Sequence, residues 1–321
     1  MKQIILFLFT TTLVFISMHS HAQDSHLSQW KENPVLLNPA ETGRIIDGEV
    51  RIIATYRSQW GNFGSGITTT AISFDMKRGK RKMTYGGYLK SSNLANIFTN
   101  TSFVGSAAYE ITKPSNKKYH IKTGVQIGGA YKRFDQNKLT FDNQYNNGNF
   151  DSDLPNGENF VVESKLLPET AIGFSYYNTY KKNKLKPFGG FSASHLTKPK
   201  ISYSGEMITS TPAKWSGYAG SIIELDKWFT ITPYALYMKQ GSATELFAGI
   251  ATNYRFNIDV SAVLDIGYRN KDAAIIQAGI NIRDSWYRIS YDINTSPLKN
   301  FIRGSNALEF SVTVIPKGRF F

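Results

Sequence analysis

The chain has 321 residues, 41% of them apolar and 14% aromatic, with no cysteine and a formal net charge of +13. Its 18 Tyr, 21 Phe and 5 Trp exclude a disordered chain, a mean hydropathy of −0.30 excludes a bundle of membrane-spanning helices, and the lack of cysteine removes disulfide frameworks and thiolate metal sites. The basic balance would suit a nucleic-acid partner, but the N-terminus argues against it.

Lys2 supplies a positive start, Ile4 to Ser17 form an apolar stretch, and Ser20-His21-Ala22 offers small residues at the positions a signal peptidase reads. This pattern predicts a signal peptide over 1–22 and export of the chain from Gln23 onward, away from DNA and cytoplasmic RNA. Residues 23–47 follow as a separate segment. Leu27, Trp30, Val35, Leu36 and Leu37 need apolar surroundings. Asn38 reads as an N-cap with Pro39 at the first helical position, Ala40 and Glu41 next, and Gly43 closing a single turn. Two readings are open for this segment: a plug in the mouth of a barrel, or a periplasmic tail with one helical turn.

From 48 to 321 the pattern has period two. Ile121, Thr123, Val125, Ile127 and Tyr131 share one face against Lys122, Gln126 and Lys132; Leu264, Ile266 and Tyr268 oppose Asp265 and Arg269; Leu308, Phe310 and Val312 oppose Glu309 and Ser311. Strands are predicted near 49–57, 67–76, 83–90, 101–111, 119–133, 169–177, 187–194, 214–224, 229–239, 244–255, 260–269, 272–282, 286–293 and 307–315. Most are about ten residues long, the length of a tilted transmembrane strand. Tyr56, Tyr131, Tyr177, Tyr254 and Tyr268 sit where an interfacial girdle would lie. The other faces carry Arg51, Asp75, Glu110, Lys122, Arg255, Asp265, Arg269, Arg288, Asp292 and Glu309, which suggests a lumen crossed by ion pairs. A soluble sandwich or jelly roll also alternates, but its core faces would be bulkier. The expected fold is therefore all-β: a transmembrane antiparallel barrel of about fourteen strands.

If the first strand runs outward, every long connection falls outside. The longest, 135–168, holds Asp135, Asp142, Asp151, Asp153, Glu158 and Glu163 against Lys138 and Lys165. With Phe141, Gln144, Tyr145, Phe150 and Phe160 among these acids, it is the first candidate for a protein-binding surface, or else a self-packed lid. Asp151 and Asp153 could contribute to a calcium site, but the EF-hand spacing is missing. The inside turns are basic: Lys77, Arg78, Lys80, Arg81 and Lys82 in one, Lys113, Lys117 and Lys118 in the next, Lys181, Lys182, Lys184 and Lys186 in the third. They read either as solvated turns or as a docking site for an acidic periplasmic partner. His26, His120 and His195 are far apart, no nucleophile elbow or phosphate loop is present, and the chain reads as a non-enzyme without a cofactor.

The Ser28-Gln29-Trp30 segment, the run from Asn33-Pro34 to Asn38-Pro39-Ala40 and Gly43, and Tyr56-Arg57-Ser58-Gln59-Trp60 together resemble the PorP/SprF family. So do Phe141-Asp142-Asn143-Gln144-Tyr145 and Gly189-Gly190-Phe191-Ser192-Ala193-Ser194-His195-Leu196. Trp30-Lys31-Glu32 departs from the family, whose members more often carry apolar or aromatic residues there. The resemblance implies an outer-membrane protein of the type IX secretion and gliding apparatus of Bacteroidetes-type bacteria. Such a barrel helps to export or surface-anchor an adhesin bearing a type IX C-terminal domain. Its implied partners are that adhesin, periplasmic machinery, and outer-membrane lipid and lipopolysaccharide. The Asn-Pro-Ala element is also similar to that of FadL-type channels for small hydrophobic compounds, which have fourteen strands and an N-terminal hatch, so such a channel is the alternative.

Overall fold

The computed structural model describes residues 24–45, 48–61, 66–79, 81–113, 115–116, 118–146, 148–157, 163–202, 209–297 and 306–316. The expected signal peptide and the candidate residues Lys80, Lys117 and Phe160 lie outside the described residues.

Fourteen antiparallel strands close into a barrel. We number them β1 (Val50–Gln59), β2 (Ile67–Lys77), β3 (Met83–Leu94), β4 (Phe98–Glu110), β5 (Tyr119–Phe134), β6 (Ser164–Asn178), β7 (Leu185–Ser194), β8 (Lys214–Glu224), β9 (Phe229–Gln240), β10 (Ala243–Arg255), β11 (Val260–Arg269), β12 (Ala273–Ile282), β13 (Ser285–Asn294) and β14 (Ala307–Val314). Each strand pairs with its sequence neighbours, and β1 closes on β14 with Ile52 opposite Val314 and Gln59 opposite Ala307. Closure matters because an unpaired strand edge in hydrocarbon leaves backbone groups with no partner.

The period-two pattern sets which face meets lipid. Ile72, Leu89, Val125, Ile127, Ile172, Ile266 and Phe310 are exposed on the outer wall, while Arg57, Asp75, Lys122, Asp265, Arg269, Arg288, Asp292 and Glu309 are buried inside. Two expectations fail. Arg255 is exposed, because it ends β10 beyond the packed lumen. Tyr177 is not a girdle residue: it shares parity with the inward Gly173 and Ser175, stacks on His120 at 4.8 Å, and faces Arg44.

β6 begins at Ser164 rather than near 169, pairing with β5 from Arg133 opposite Ser164. Lys165, Pro168 and Glu169 break the apolar alternation there, so hydropathy could not mark the strand. All connections longer than eight residues lie at one end of the barrel, at 135–163, 195–213 and 295–306. That is the outer end, since short turns belong to the periplasmic side.

Candidate functional site

Residues 24–45 run through the lumen from the outer rim to the inner rim. At the outer end the Asp24 backbone N–H donates to Gln240 Oε1 (3.0 Å), and Asp24 Oδ2 lies 2.5 Å from His195 Nε2. The other ring nitrogen of His195 lies 2.7 Å from Glu169 Oε2. Burial disfavours the charged ring, but the hydrogen bonds to Asp24 and Glu169 outweigh it and lift the His195 pKa to about 9. Burial likewise acts to raise the Asp24 pKa, but His195 holds it far below the usual carboxylate range.

Lower down, Ser28 and Gln29 meet a charged wall. The Ser28 and Gln29 amides donate to the two oxygens of Glu309 at 2.8 and 3.1 Å. Arg57 donates to Ser28 Oγ at 2.8 Å and to Asp292 at 2.9 Å, and lies 3.1 Å from Glu309. Arg269 donates to the same Asp292 oxygen at 2.9 Å. Gln29 Nε2 reaches Ser290 Oγ and the Glu309 carbonyl. Each charge of this cluster therefore has a counter-ion, without which its burial would be prohibitive.

Trp30 fills the apolar part of the lumen, against Tyr234 (5.5 Å, edge-on), Tyr218 (5.9 Å), Leu236 and Phe247. Burying that ring contributes on the order of 3 kcal/mol. Lys31 and Glu32, the departure from the family pattern, are accommodated by charge: Lys31 Nζ lies 2.5 Å from Asp265 and over the Tyr234 ring, and Glu32 lies 3.1 Å from Arg288.

A single α-turn, Pro34–Leu37, leads into the 3-10 turn Pro39–Glu41. Asn38 Oδ1 accepts from the Ala40 amide (2.9 Å), the capping role its sequence position suggests. Its Nδ2 donates to the Phe174 carbonyl (3.0 Å), the Phe191 carbonyl (3.3 Å) and Tyr218 Oη (3.3 Å). This turn lies in a bed cleared by glycines on three successive strands. A Cβ on Gly173 would stand 1.9 Å from Asn38 Oδ1, one on Gly124 would stand 2.4 Å from Pro39 C, and one on Gly190 would stand 2.8 Å from Asn38 Nδ2. Gly124 and Gly173 face each other directly in the ladder. Sequence reasoning missed this bed. The signal was present as missing side chains at lumen-facing positions of β5, β6 and β7.

At the inner end Thr42 O accepts from Lys122 (2.5 Å) and Thr84 (2.7 Å), and the Gly43 amide donates to Asp75 Oδ2 (2.6 Å), which Arg51 also holds. Lys77 donates to the Ile45 carbonyl. Lys77 is therefore drawn to the lumen segment, whereas Arg78, Arg81, Lys113, Lys118, Lys181, Lys182 and Lys184 are exposed on neighbouring inner turns. Lys82 lies over Tyr109, and Lys186 pairs with Glu224.

The described residues of the outer loop carry bonds of their own. Gln144 ties it together: its Oε1 accepts from the Phe141 amide (3.2 Å) and its Nε2 donates to the Leu154 carbonyl (3.3 Å). Tyr145–Asn146 pairs with Asn149–Phe150 as a minimal hairpin. Tyr145 and Phe150 touch edge-on at 5.6 Å yet remain 50% and 46% exposed, an aromatic pair held out at the tip. Asp151 turns back to accept the Asp153 amide (3.0 Å). Among the described residues no three His, Cys, Asp or Glu side chains gather as a metal site.

A closed antiparallel barrel with lipid-facing apolar residues, a charged lumen and long loops at one end defines an outer-membrane β-barrel. A family model described as "Type IX secretion system membrane protein PorP/SprF" matches residues 19–314. The chain belongs to that family. No curated protein matches the chain. Among solved structures, the CymD monoaromatic hydrocarbon channel is similar at 8% identity, TM-score 0.51, covering 89% of this chain and 93% of that one. The Ralstonia pickettii toluene transporter TbuX aligns at 9% identity and TM-score 0.47, covering 88% and 91%. The P. putida toluene transporter TodX aligns at 8% and 0.47, covering 88% and 93%. At such identities the CymD likeness speaks for the fold alone.

Proposed function

We propose that this barrel is a closed platform of the type IX apparatus, which assists export or surface anchoring of a specific adhesin through its outer loop. The carrying observation is the lumen. Residues 24–45 are bonded to the wall at the outer rim, the middle and the inner rim, so the barrel acts as a plugged platform and not as a conduit. The surfaces left for function are then the two ends. Outside, the Tyr145–Phe150 tip in its acidic setting offers exposed aromatic area, the kind of anchor protein interfaces use. Inside, the turns carrying Arg78, Arg81, Lys181 and Lys182 present one sign of charge to the periplasm, suited to an acidic component of the secretion machinery.

A FadL-like channel for small hydrophobic compounds would require the segment to leave the lumen, which would strip the Ser28 and Gln29 hydrogen bonds from Arg57, Arg269, Asp292 and Glu309. The test is affinity purification of the tagged barrel from detergent-solubilised outer membrane. The reading expects co-elution of a large secreted protein, lost in a Tyr145→Ser/Phe150→Ser variant and retained in an Arg81→Glu/Lys182→Glu variant. Undiminished recovery with the loop variant would refute the outer-loop assignment.

A further inference from the structure

A cavity of about 90 Å³ lies in the outer half of the lumen, between the N-terminal segment and the wall from β3 to β9. Two lysines line it, Lys90 and Lys214. Lys90 donates to the Ser25 carbonyl, and neither lysine has a carboxylate within ion-pair distance among the described residues. The carboxylates that do line the cavity, Asp24 and Glu169, are both engaged by His195. His26, also in the lining, faces Glu245 Oε2 at 3.1 Å. Beside that pair, the lining holds Lys90, Lys214 and the doubly paired His195 against Asp24 and Glu169.

Two further polar atoms are unsatisfied. Asn100 Oδ1 and Thr170 Oγ1 are buried without a hydrogen-bond partner, on residues that line this cavity. Such atoms are rare in folded proteins: Thr170 Oγ1 can donate to a bound anion, whereas Asn100 Oδ1, an acceptor, calls for a water. Leu37, Val104 and Met238 form an apolar part of the wall, beside the polar Ser102, Gln126, Ser192 and Ser216.

We infer that this cavity binds a small organic anion, a carboxylate on a short apolar stem. Its charged end would sit at Lys214 and Lys90, with the Thr170 hydroxyl donating to it, and its stem would lie on Leu37, Val104 and Met238. The volume suits about three to five non-hydrogen atoms, scaled from the six of benzene in a cavity of roughly 150 Å³. The occupant stays within the outer half, so the site is independent of the loop and turn surfaces above.

The test is titration of the purified full barrel in detergent, at constant ionic strength, with propanoate, propan-1-ol and inorganic phosphate, read by calorimetry. Propanoate is expected to bind more tightly than the alcohol and than phosphate. Lys214→Met is expected to weaken propanoate at least about tenfold, the effect of losing a charge-assisted hydrogen bond, with Lys214→Arg restoring it. Should Lys214→Met fail to fold, Thr170→Val removes only a hydroxyl and is expected to weaken propanoate severalfold. Equal binding of propan-1-ol, phosphate matching propanoate, unchanged affinity in either variant, or no binding at all would each overturn the inference.

Discussion

Replacing Gly173 with alanine puts a methyl group where the lumen segment lies. The added Cβ would stand 1.9 Å from Asn38 Oδ1 and 3.0 Å from Pro39 Cδ, against an ordinary contact distance of 3.4–4 Å. Neither side can yield easily, because Gly173 is held between Gly124 of β5 and Ser192 of β7. The Asn-Pro-Ala turn must move and lose the three hydrogen bonds from Asn38 Nδ2 and the cap on the Ala40 amide. At about 1 kcal/mol net for each, the docking of the turn weakens by roughly 3–4 kcal/mol. Amide hydrogen exchange of residues 34–42 in the purified barrel is expected to accelerate by about 10²- to 10³-fold through local opening, with barrel amides unchanged. Gly105→Ala is the control, since a Cβ there meets only the Ile127 carbonyl at 3.7 Å. Protection of 34–42 within about threefold of wild type in Gly173→Ala would refute the close-approach argument.

Other outcomes follow from the same geometry. Arg57→Met strands Glu309, leaves Asp292 with Arg269 alone, and is expected to cost roughly 3–5 kcal/mol, seen as a large drop in the temperature at which the folded, heat-modifiable band is lost; Lys138→Met, at an exposed pair with Asp135 3.7 Å away, is expected to change it by less than about 1 kcal/mol. The His195 pKa is raised in the folded state, so its contribution to anchoring Asp24 is complete below about pH 6.5 and is lost as pH climbs through about 9. Exchange of residues 24–27, corrected for intrinsic pH dependence, should therefore rise above pH 9, and His195→Gln should abolish that rise. In planar bilayers the intact protein is expected to show no porin-like steps, and a chain lacking 24–45 that still migrates as a folded barrel should conduct; steady conductance by the intact protein would contradict a plugged lumen.

The strands were largely legible because a transmembrane barrel wall must alternate: lipid on one side and a charged lumen on the other leave little freedom in the order of residue types. The legibility stops where that pressure stops. The outer part of β6 projects with Lys165, Pro168 and Glu169 on it, and no apolar face marks it as strand. Tyr177 carried the composition of a girdle residue, but its parity with Ser175 turns it inward. For the N-terminal segment, the Asn38 cap could be read from local spacing. Its direction through the lumen could not, because it depends on partners far along the chain: His195 for Asp24, Glu309 for Ser28, Asp75 for Gly43. The loop aromatics stood out in the sequence, but the role of Gln144 as a tie beside Tyr145 rests on its bonds to Phe141 and Leu154, which spacing alone does not mark.

A photocrosslinking residue placed at position 145 in intact cells tests whether the plugged barrel holds a secreted partner on its outer loop. Irradiation is expected to give a high-mass adduct containing the C-terminal region of one secreted protein, and no such adduct from position 85 on the lipid-facing wall. Irradiation that yields only lipid or no adduct at position 145, while the protein remains folded in the outer membrane, would contradict it.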